Sequence, residues 1–235
     1  LLLTPGPLTT SAETKEAMLH DWGSRDQDFI DTNTRVCERL LAIANVSESH
    51  VCVPLQGSGT FIVEAALCTL IPPNGKALIL VNGAYGKRMA KILDYASRSY
   101  LIQETPEDQP PSIGNLEEAL DTDADISHVL AVHCETTSGI LNPIEEISNV
   151  VKNRDRSLFI DAMSAFGAIN LDADHIYFDA LVASSNKCLE GVPGVGFALI
   201  RTAALESCEK NSHSLSLDLF DQWRTMETNA QWRFT

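Results

Sequence analysis

Lys187 is the residue of this sequence whose surroundings most favour covalent chemistry. It ends a short polar segment, S-S-N-K at 184 to 187, between two apolar runs at 179–183 and 195–200 that are typical of buried strands. An unprotonated lysine amine can form an imine with an aldehyde, and a poorly solvated pocket favours the unprotonated form. Because most loop lysines are solvated surface charges, this stretch alone does not decide between the two interpretations.

A glycine-rich turn is the second chemical feature. Q-G-S-G-T at 56 to 60 follows a short predicted strand and precedes an apolar helix that Pro72 and Pro73 end. Exposed backbone N–H groups and the helix dipole favour an anion such as phosphate there. The turn lacks the Lys-Ser/Thr ending of a Walker A loop and the third glycine of a dinucleotide fingerprint. The alternative is a tight turn in which Ser58 or Thr60 caps the helix.

Three further candidates, Tyr85, Thr136 and Asp161, also follow predicted strands. A carboxylate at the end of an apolar strand is costly to bury without compensation, so Asp161 either faces a cationic partner or forms a buried cap or turn. For His133 and Glu135 we expect a core histidine and a supporting carboxylate rather than direct catalysis.

The elements that must position these residues are short apolar strands separated mostly by helices. This pattern predicts an α/β fold with a mostly parallel, seven-stranded sheet covered on both faces. Such sheets bind ligands at the carboxyl ends of their strands, where the polar motifs can converge. The predicted strands are 51–55, 77–81, 98–102, 128–133, 158–160, 179–183 and 195–200, and the main predicted helices are 30–44, 61–70, 87–96, 115–120, 143–152 and 202–210. Beyond residue 214 the sequence continues into a polar end that contains Trp223, Trp232 and Phe234, and we assign no helix or strand to it.

Composition excludes several classes of protein. The 235 residues hold 17 Lys+Arg against 32 Asp+Glu, and a net charge of −15 without a basic patch disfavours nucleic acid and anionic membrane as partners. Six cysteines without C-x-x-C or zinc spacing predict reduced thiols, no metal site and a cytoplasmic location. The opening residues and the apolar runs lead us to expect neither a signal peptide nor a membrane helix.

The strand-end residues together match the needs of pyridoxal 5'-phosphate (PLP). Its phosphate needs an anion cradle, its aldehyde a lysine, its pyridine nitrogen a carboxylate, and its ring a flat side chain. The glycine turn, Lys187, Asp161 and Tyr85 supply one each. One cofactor would therefore explain four separate motifs.

Six motifs make the resemblance to a family specific. The chain resembles the class V, fold-type-I PLP aminotransferases in L-T-P-G-P-L at 3 to 8, Q-G-S-G-T at 56 to 60, V-N-G-A-Y-G at 81 to 86, H-C-E-T-T-S-G-I-L-N-P at 133 to 143, D-A-M-S-A-F-G at 161 to 167 and S-S-N-K-C-L-E-G-V-P-G at 184 to 194. The resemblance implies a three-layer α/β/α large domain at 26–235, preceded by an N-terminal arm and loop at 1–25. Family members continue into a small C-terminal domain whose arginine binds the keto acid, so we expect this chain to lack that domain and to transaminate poorly.

The resemblance also implies a role for each site residue. Lys187 would hold the cofactor and move the substrate's α-proton, and Asp161 would keep the pyridine nitrogen protonated. Tyr85 would stack on the ring and Thr136 would orient it. The cofactor phosphate would be held by Ser58, Gly59, Thr60 and Asn186 and, across a homodimer interface, by the segment that ends at Thr235.

The implied activity is transamination of 2-aminoethylphosphonate with pyruvate, in phosphonate degradation. Arg25, beside Trp22, is the candidate contact to the phosphonate, against the alternative of a solvent-exposed arginine. Other open interpretations are a class V enzyme using alanine and glyoxylate or serine and pyruvate, a nucleotide-binding α/β domain, and a non-catalytic domain. Cys188 is either packed or a site of oxidation.

Overall fold

The predicted mostly parallel sheet is confirmed by a computed structural model, which describes residues 1–171, 173 and 175–233. The strands are β1 (His50–Gln56), β2 (Lys76–Val81), β3 (Ser99–Glu104), β4 (Ile126–Val132), β5 (Cys134–Glu135), β6 (Ile140–Leu141), β7 (Ser157–Asp161), β8 (Ala180–Ser184) and β9 (Val195–Arg201). The helices are α1 (Ala12–Ala17), α2 (Gln27–Ile43), α3 (Gly59–Leu70), α4 (Ala84–Tyr95), α5 (Ile113–Thr122), α6 (Ile144–Lys152), α7 (Thr202–Glu206) and α8 (Leu219–Asn229).

Seven strands form the main sheet, in the order β1-β9-β8-β7-β4-β2-β3. Strand β9 is antiparallel to both of its neighbours, and the other adjacent strands are parallel. A parallel return from β8 would need a long crossover, usually a helix, whereas an antiparallel return needs only a loop. The loop at 185–194, which holds Lys187, makes this return at the carboxyl end of β8.

Both faces of the sheet are covered, so its central strands are apolar on both sides. In β4, Leu130 and Val132 pack into one hydrophobic cluster, while Val129 and Ala131 pack into the cluster on the opposite face. This arrangement is typical of strands in buried parallel sheets. Polar side chains in the central strands are therefore concentrated near the strand ends.

Four local features differ from the sequence prediction. Helix α7 ends at Glu206, four residues before the predicted end at 210. Helix α8 lies in the polar end to which the sequence analysis assigned no element; its N-terminus is capped by the Asp218 carboxylate, and the helix buries Leu219, Gln222 and Trp223. Strands β5 and β6 form a small hairpin that was not predicted. Helix α4 begins at Ala84 rather than Lys87, so Tyr85 lies in its first turn.

None of the helices in the described residues is both long and apolar enough to cross a bilayer.

A buried polar network secures the base of β8 and β9, at the edge opposite Lys187. The Asp179 carboxylate accepts hydrogen bonds from Arg201 Nε at 3.2 Å and from the Tyr177 hydroxyl at 2.8 Å. The Arg201 guanidinium carbon also lies 4.6 Å from the centroid of the Tyr177 ring. Burial, helped by the Asp179 charge, raises the pKa of Tyr177 to about 12, so this hydroxyl remains a donor at neutral pH.

Removing the guanidinium should destabilise the fold, because it leaves the Asp179 carboxylate without its cation. We expect Arg201→Met to lower the free energy of unfolding by about 2–3 kcal/mol, below the full cost of breaking a buried pair because Arg201 is partly exposed. Urea denaturation at pH 7.5 measures the change. Lys87→Met, which breaks an exposed pair with Glu104, is the control and should cost less than about 1 kcal/mol. Equal effects of the two substitutions would contradict the proposed importance of the network.

Candidate active site

A single cavity at the carboxyl edge of the sheet brings together residues from five separate sequence motifs. Seven of the residues singled out from the sequence line it: Gly59, Thr60, Tyr85, Thr136, Asp161, Asn186 and Lys187. The strand register explains part of this convergence, because Asp161 pairs with Val132 on one side and with Val182 on the other. The Thr136 and Lys187 loops, which follow β4 and β8, therefore flank the end of β7.

Three other candidates, Ser58, Trp22 and Arg25, are not among the residues that line this cavity. Ser58 is exposed at the N-cap of α3, and its side chain makes no capping hydrogen bond. Trp22 and Arg25 are both exposed, and the Trp22 ring packs against His20 and Phe29. Thr235 lies outside the described residues.

The start of α3 provides an anion cradle. Gly59 and Thr60 are the first residues of the helix, so no carbonyl of the same helix can accept their N–H groups. A Cβ at Gly59 would lie only 2.8 Å from Met163 Sδ. Gly57, at a φ of +130° that favours glycine, donates its N–H to the Gly194 carbonyl at 2.8 Å and so ties this turn to the lysine loop.

Asp161 is a buried carboxylate that forms no ion pair with the cations near it in the described part of the chain. Only 3% of the residue is exposed, and Oδ1 accepts a hydrogen bond from the Met163 N–H at 3.0 Å. Burial raises its pKa to about 6. No lysine or arginine of the described ranges forms an ion pair with it. A protonated pyridine nitrogen would supply the missing positive charge and a donor, so this residue fits PLP.

Lys187 is partly buried against the N-terminal arm. Its Nζ donates to the Gly6 carbonyl at 2.9 Å. A Cβ at Gly6 would lie 2.5 Å from Lys187 Cδ and 2.4 Å from the Asn186 carbonyl oxygen. The arm thus contacts the lysine directly, a role for Gly6 that the sequence did not indicate.

Arg88 is a lining residue that the sequence reasoning missed. Its guanidinium carbon lies 4.6 Å from the centroid of the Tyr85 ring, and Nη1 donates to Thr60 Oγ1 at 3.1 Å. Tyr85 and Arg88 are three residues apart on α4, a spacing that places them on one helix face. That spacing was the available signal, but it was hidden because Tyr85 was predicted to lie in a turn.

Cys188 and His133, whose roles the sequence left open, both pack against neighbouring residues. Cys188 is partly buried, and its thiol donates to the Ser164 carbonyl at 3.5 Å. His133 is 4% exposed, and burial lowers its pKa, so a neutral core histidine is the fitting description. Neither lines the cavity.

Two curated bacterial proteins are similar to this chain over its full length. A 2-aminoethylphosphonate–pyruvate transaminase of Pseudomonas fluorescens (strain Pf0-1) is 56% identical over 235 residues, which are 100% of this chain and 64% of that protein. A protein of the same name from Pseudomonas aeruginosa (strain UCBPP-PA14) is 55% identical over 100% of this chain and 63% of its own length. The chain thus spans just under two thirds of the length of these curated relatives.

Solved structures share the fold. The pyridoxamine-pyruvate aminotransferase from Mesorhizobium loti superposes with a TM-score of 0.87 at 25% identity, covering 100% of this chain and 59% of that one. The ureidoglycine-glyoxylate aminotransferase from Bacillus subtilis gives a TM-score of 0.90 at 20% identity, covering 100% and 62%. The second similarity supports the fold alone.

The sequence model of the aminotransferase class-V family matches residues 27–231, which include every described residue of the cavity. The chain belongs to the class-V aminotransferase family.

Proposed function

We propose that this protein is a PLP-dependent transaminase that moves the amino group of 2-aminoethylphosphonate to pyruvate, giving phosphonoacetaldehyde and L-alanine. The observation that carries the proposal is that Lys187, Asp161 and the N-terminus of α3 line one cavity. The choice of substrates is supported by the names of the relatives at 55–56% identity. Family membership favours transamination over the nucleotide-binding alternative.

PLP, when bound, supplies an aldehyde that exchanges amines and a ring that withdraws electrons from the bond being broken. The N–H groups of Gly59 and Thr60 and the side chain of Asn186 would hold its phosphate. Tyr85 would cover the ring, and Thr136 would fix its orientation. Ser58 is exposed at the same helix N-terminus and is retained as a proposed phosphate contact.

Lys187 and Asp161 are the two residues of the chain that would take part directly in the reaction. Lys187 Nζ would hold the cofactor at rest and, once released by substrate, would move the α-proton between the amino-bearing carbon of the substrate and the cofactor carbon that carries the aldehyde. Asp161 would hold a proton on the pyridine nitrogen by remaining ionised beside it. The Gly6 carbonyl keeps Nζ hydrogen-bonded in the cavity when it is not bonded to the cofactor.

We also propose a cytoplasmic homodimer. All six cysteines are free, which agrees with a reducing compartment. The segment that ends at Thr235 would reach the phosphate of the neighbouring subunit. Arg25 and Trp22 are retained as candidate phosphonate contacts, although both are exposed on the loop before α2 and neither lines the cavity.

Substrate choice is tested by rates with two substrate pairs. We expect the intact gene product to transaminate 2-aminoethylphosphonate with pyruvate at a kcat/KM at least about 100-fold above that for alanine with glyoxylate, because a site that pairs a charged group rejects a donor lacking it. Coupled assays of L-alanine and glycine formation measure the two reactions. Activity with alanine and glyoxylate alone would overturn the assignment and leave the family unchanged.

Asp161→Asn should stabilise the cofactor-free chain while impairing catalysis. The native pKa of Asp161 is raised from 3.8 to about 6, so the unfolded state releases this proton first and stability falls as pH rises between these values. Asparagine does not ionise, so the Asp161→Asn chain does not lose stability over this pH range. We therefore expect the free energy of unfolding of Asp161→Asn to equal that of the unsubstituted chain at pH 3.5 and to exceed it by on the order of 3 kcal/mol at pH 7.5.

The same substitution should lower kcat on the order of 100-fold or more in the loaded enzyme, because the electrostatic partner of the ring is lost. Asp108→Asn, at an exposed position, is the matched control and should change neither quantity. Chemical denaturation at the two pH values and steady-state rates measure the outcomes. A destabilised Asp161→Asn chain at pH 7.5 would show that the carboxylate has an internal partner.

A further inference from the structure

Glu135 is the other buried carboxylate near the cavity, and the proposed chemistry does not use it. Its exposure is 0%, and none of the ion pairs formed within the described ranges includes it. Glutamates are seldom fully buried without a cationic partner. Its charge also contributes to the raised pKa of Asp161.

Hydrogen bonds to two separate segments compensate the buried Glu135 carboxylate. Oε2 accepts from the Tyr85 backbone N–H at 3.3 Å, at the positive end of the α4 dipole. Oε1 accepts from the Thr137 N–H at 3.3 Å and from the Thr137 hydroxyl at 2.9 Å. One side chain thus links the start of α4 to the turn that follows β5.

Gly83 makes room for this link. A Cβ at Gly83 would lie 2.3 Å from both Cγ and Cδ of Glu135 and 2.7 Å from Oε2. The φ of Gly83, 172°, is extended backbone that any residue adopts, so space rather than conformation calls for glycine. Gly83 and Glu135 are therefore fitted to each other across two motifs.

The two linked segments carry the residues proposed to contact the cofactor ring. Tyr85 donates directly to Glu135, and Thr136 lies between Glu135 and Thr137. We infer that Glu135 is a positioning residue that fixes the separation of Tyr85 and Thr136 and, through them, the orientation of the PLP ring. The inference rests on the proposed function and adds to it a residue that does not line the cavity.

The first test replaces one carboxylate oxygen by an amide. Glu135→Gln keeps the size of the side chain but turns an NH2 group toward either Tyr85 N–H or Thr137, which are themselves donors. With PLP as the probe, we expect the dissociation constant to rise on the order of 10-fold and the visible circular dichroism per bound PLP to change in amplitude, since that signal reports ring orientation. Borohydride labelling of Lys187 should persist.

The second test uses the fit between Gly83 and Glu135 and does not depend on the first variant folding. Gly83→Ala should reproduce the loss of PLP affinity and the altered dichroism, because its methyl group displaces the carboxylate. In a Glu135→Ala background, adding Gly83→Ala should produce little further change. Gly114→Ala, at a helical position with open space around it, is the matched control and should leave both readings unchanged.

The outcomes separate the inference from the proposed function. If the unsubstituted chain binds PLP at Lys187 while both variants keep its affinity and its dichroism per bound PLP, the positioning role is overturned and the proposed function stands. A lower melting temperature with unchanged dichroism in both variants would likewise overturn it, in favour of a structural role. If the unsubstituted chain binds no PLP, both the proposed function and the inference fail.

Discussion

Burial of both faces of the sheet is the constraint on which this structure depends. Strands β4, β7 and β8 are enclosed by the two hydrophobic clusters, so a polar side chain within them would lose its hydration without a partner. The carboxyl edge is the place where the chain can turn, expose N–H groups and hold charges. Chemistry from distant motifs converges there because the packing of the sheet leaves it few other positions.

Charge balance at that edge favours a cationic ligand group. Asp161 and Glu135 are both buried, whereas Lys187 is partly buried and Arg88 is exposed. Both cations lower the pKa of Asp161, but burial and the Glu135 charge outweigh them. The neutral form of this carboxyl group is therefore more favourable than it would be in water. A pyridinium beside it would favour the ionised form instead. The stability gained by Asp161→Asn and the catalysis lost would then have the same physical origin.

Much of the fold and site was predictable because the signals are local. The seven apolar runs predicted as strands are strands in the structure, with small shifts in their bounds. Each candidate site residue lies within a short motif that can be recognised without knowledge of distant contacts. Features that depend on distant partners were not predictable. Helix α4 begins before its predicted start, where the Glu135 carboxylate, 50 positions away in sequence, accepts the Tyr85 N–H. The contact of Gly6 with Lys187 joins residues 181 positions apart, and no periodicity within either segment reveals it.

The central claim, that Lys187 is the residue that bonds the cofactor, is tested most directly by mass spectrometry. Borohydride makes the bond between an aldehyde and a lysine permanent, and digestion of the PLP-loaded, reduced protein then locates the added mass. The account predicts a single pyridoxyl-phosphate group on the peptide containing Lys187, at one equivalent per chain. Labelling spread over exposed lysines, with no excess at Lys187, would contradict it.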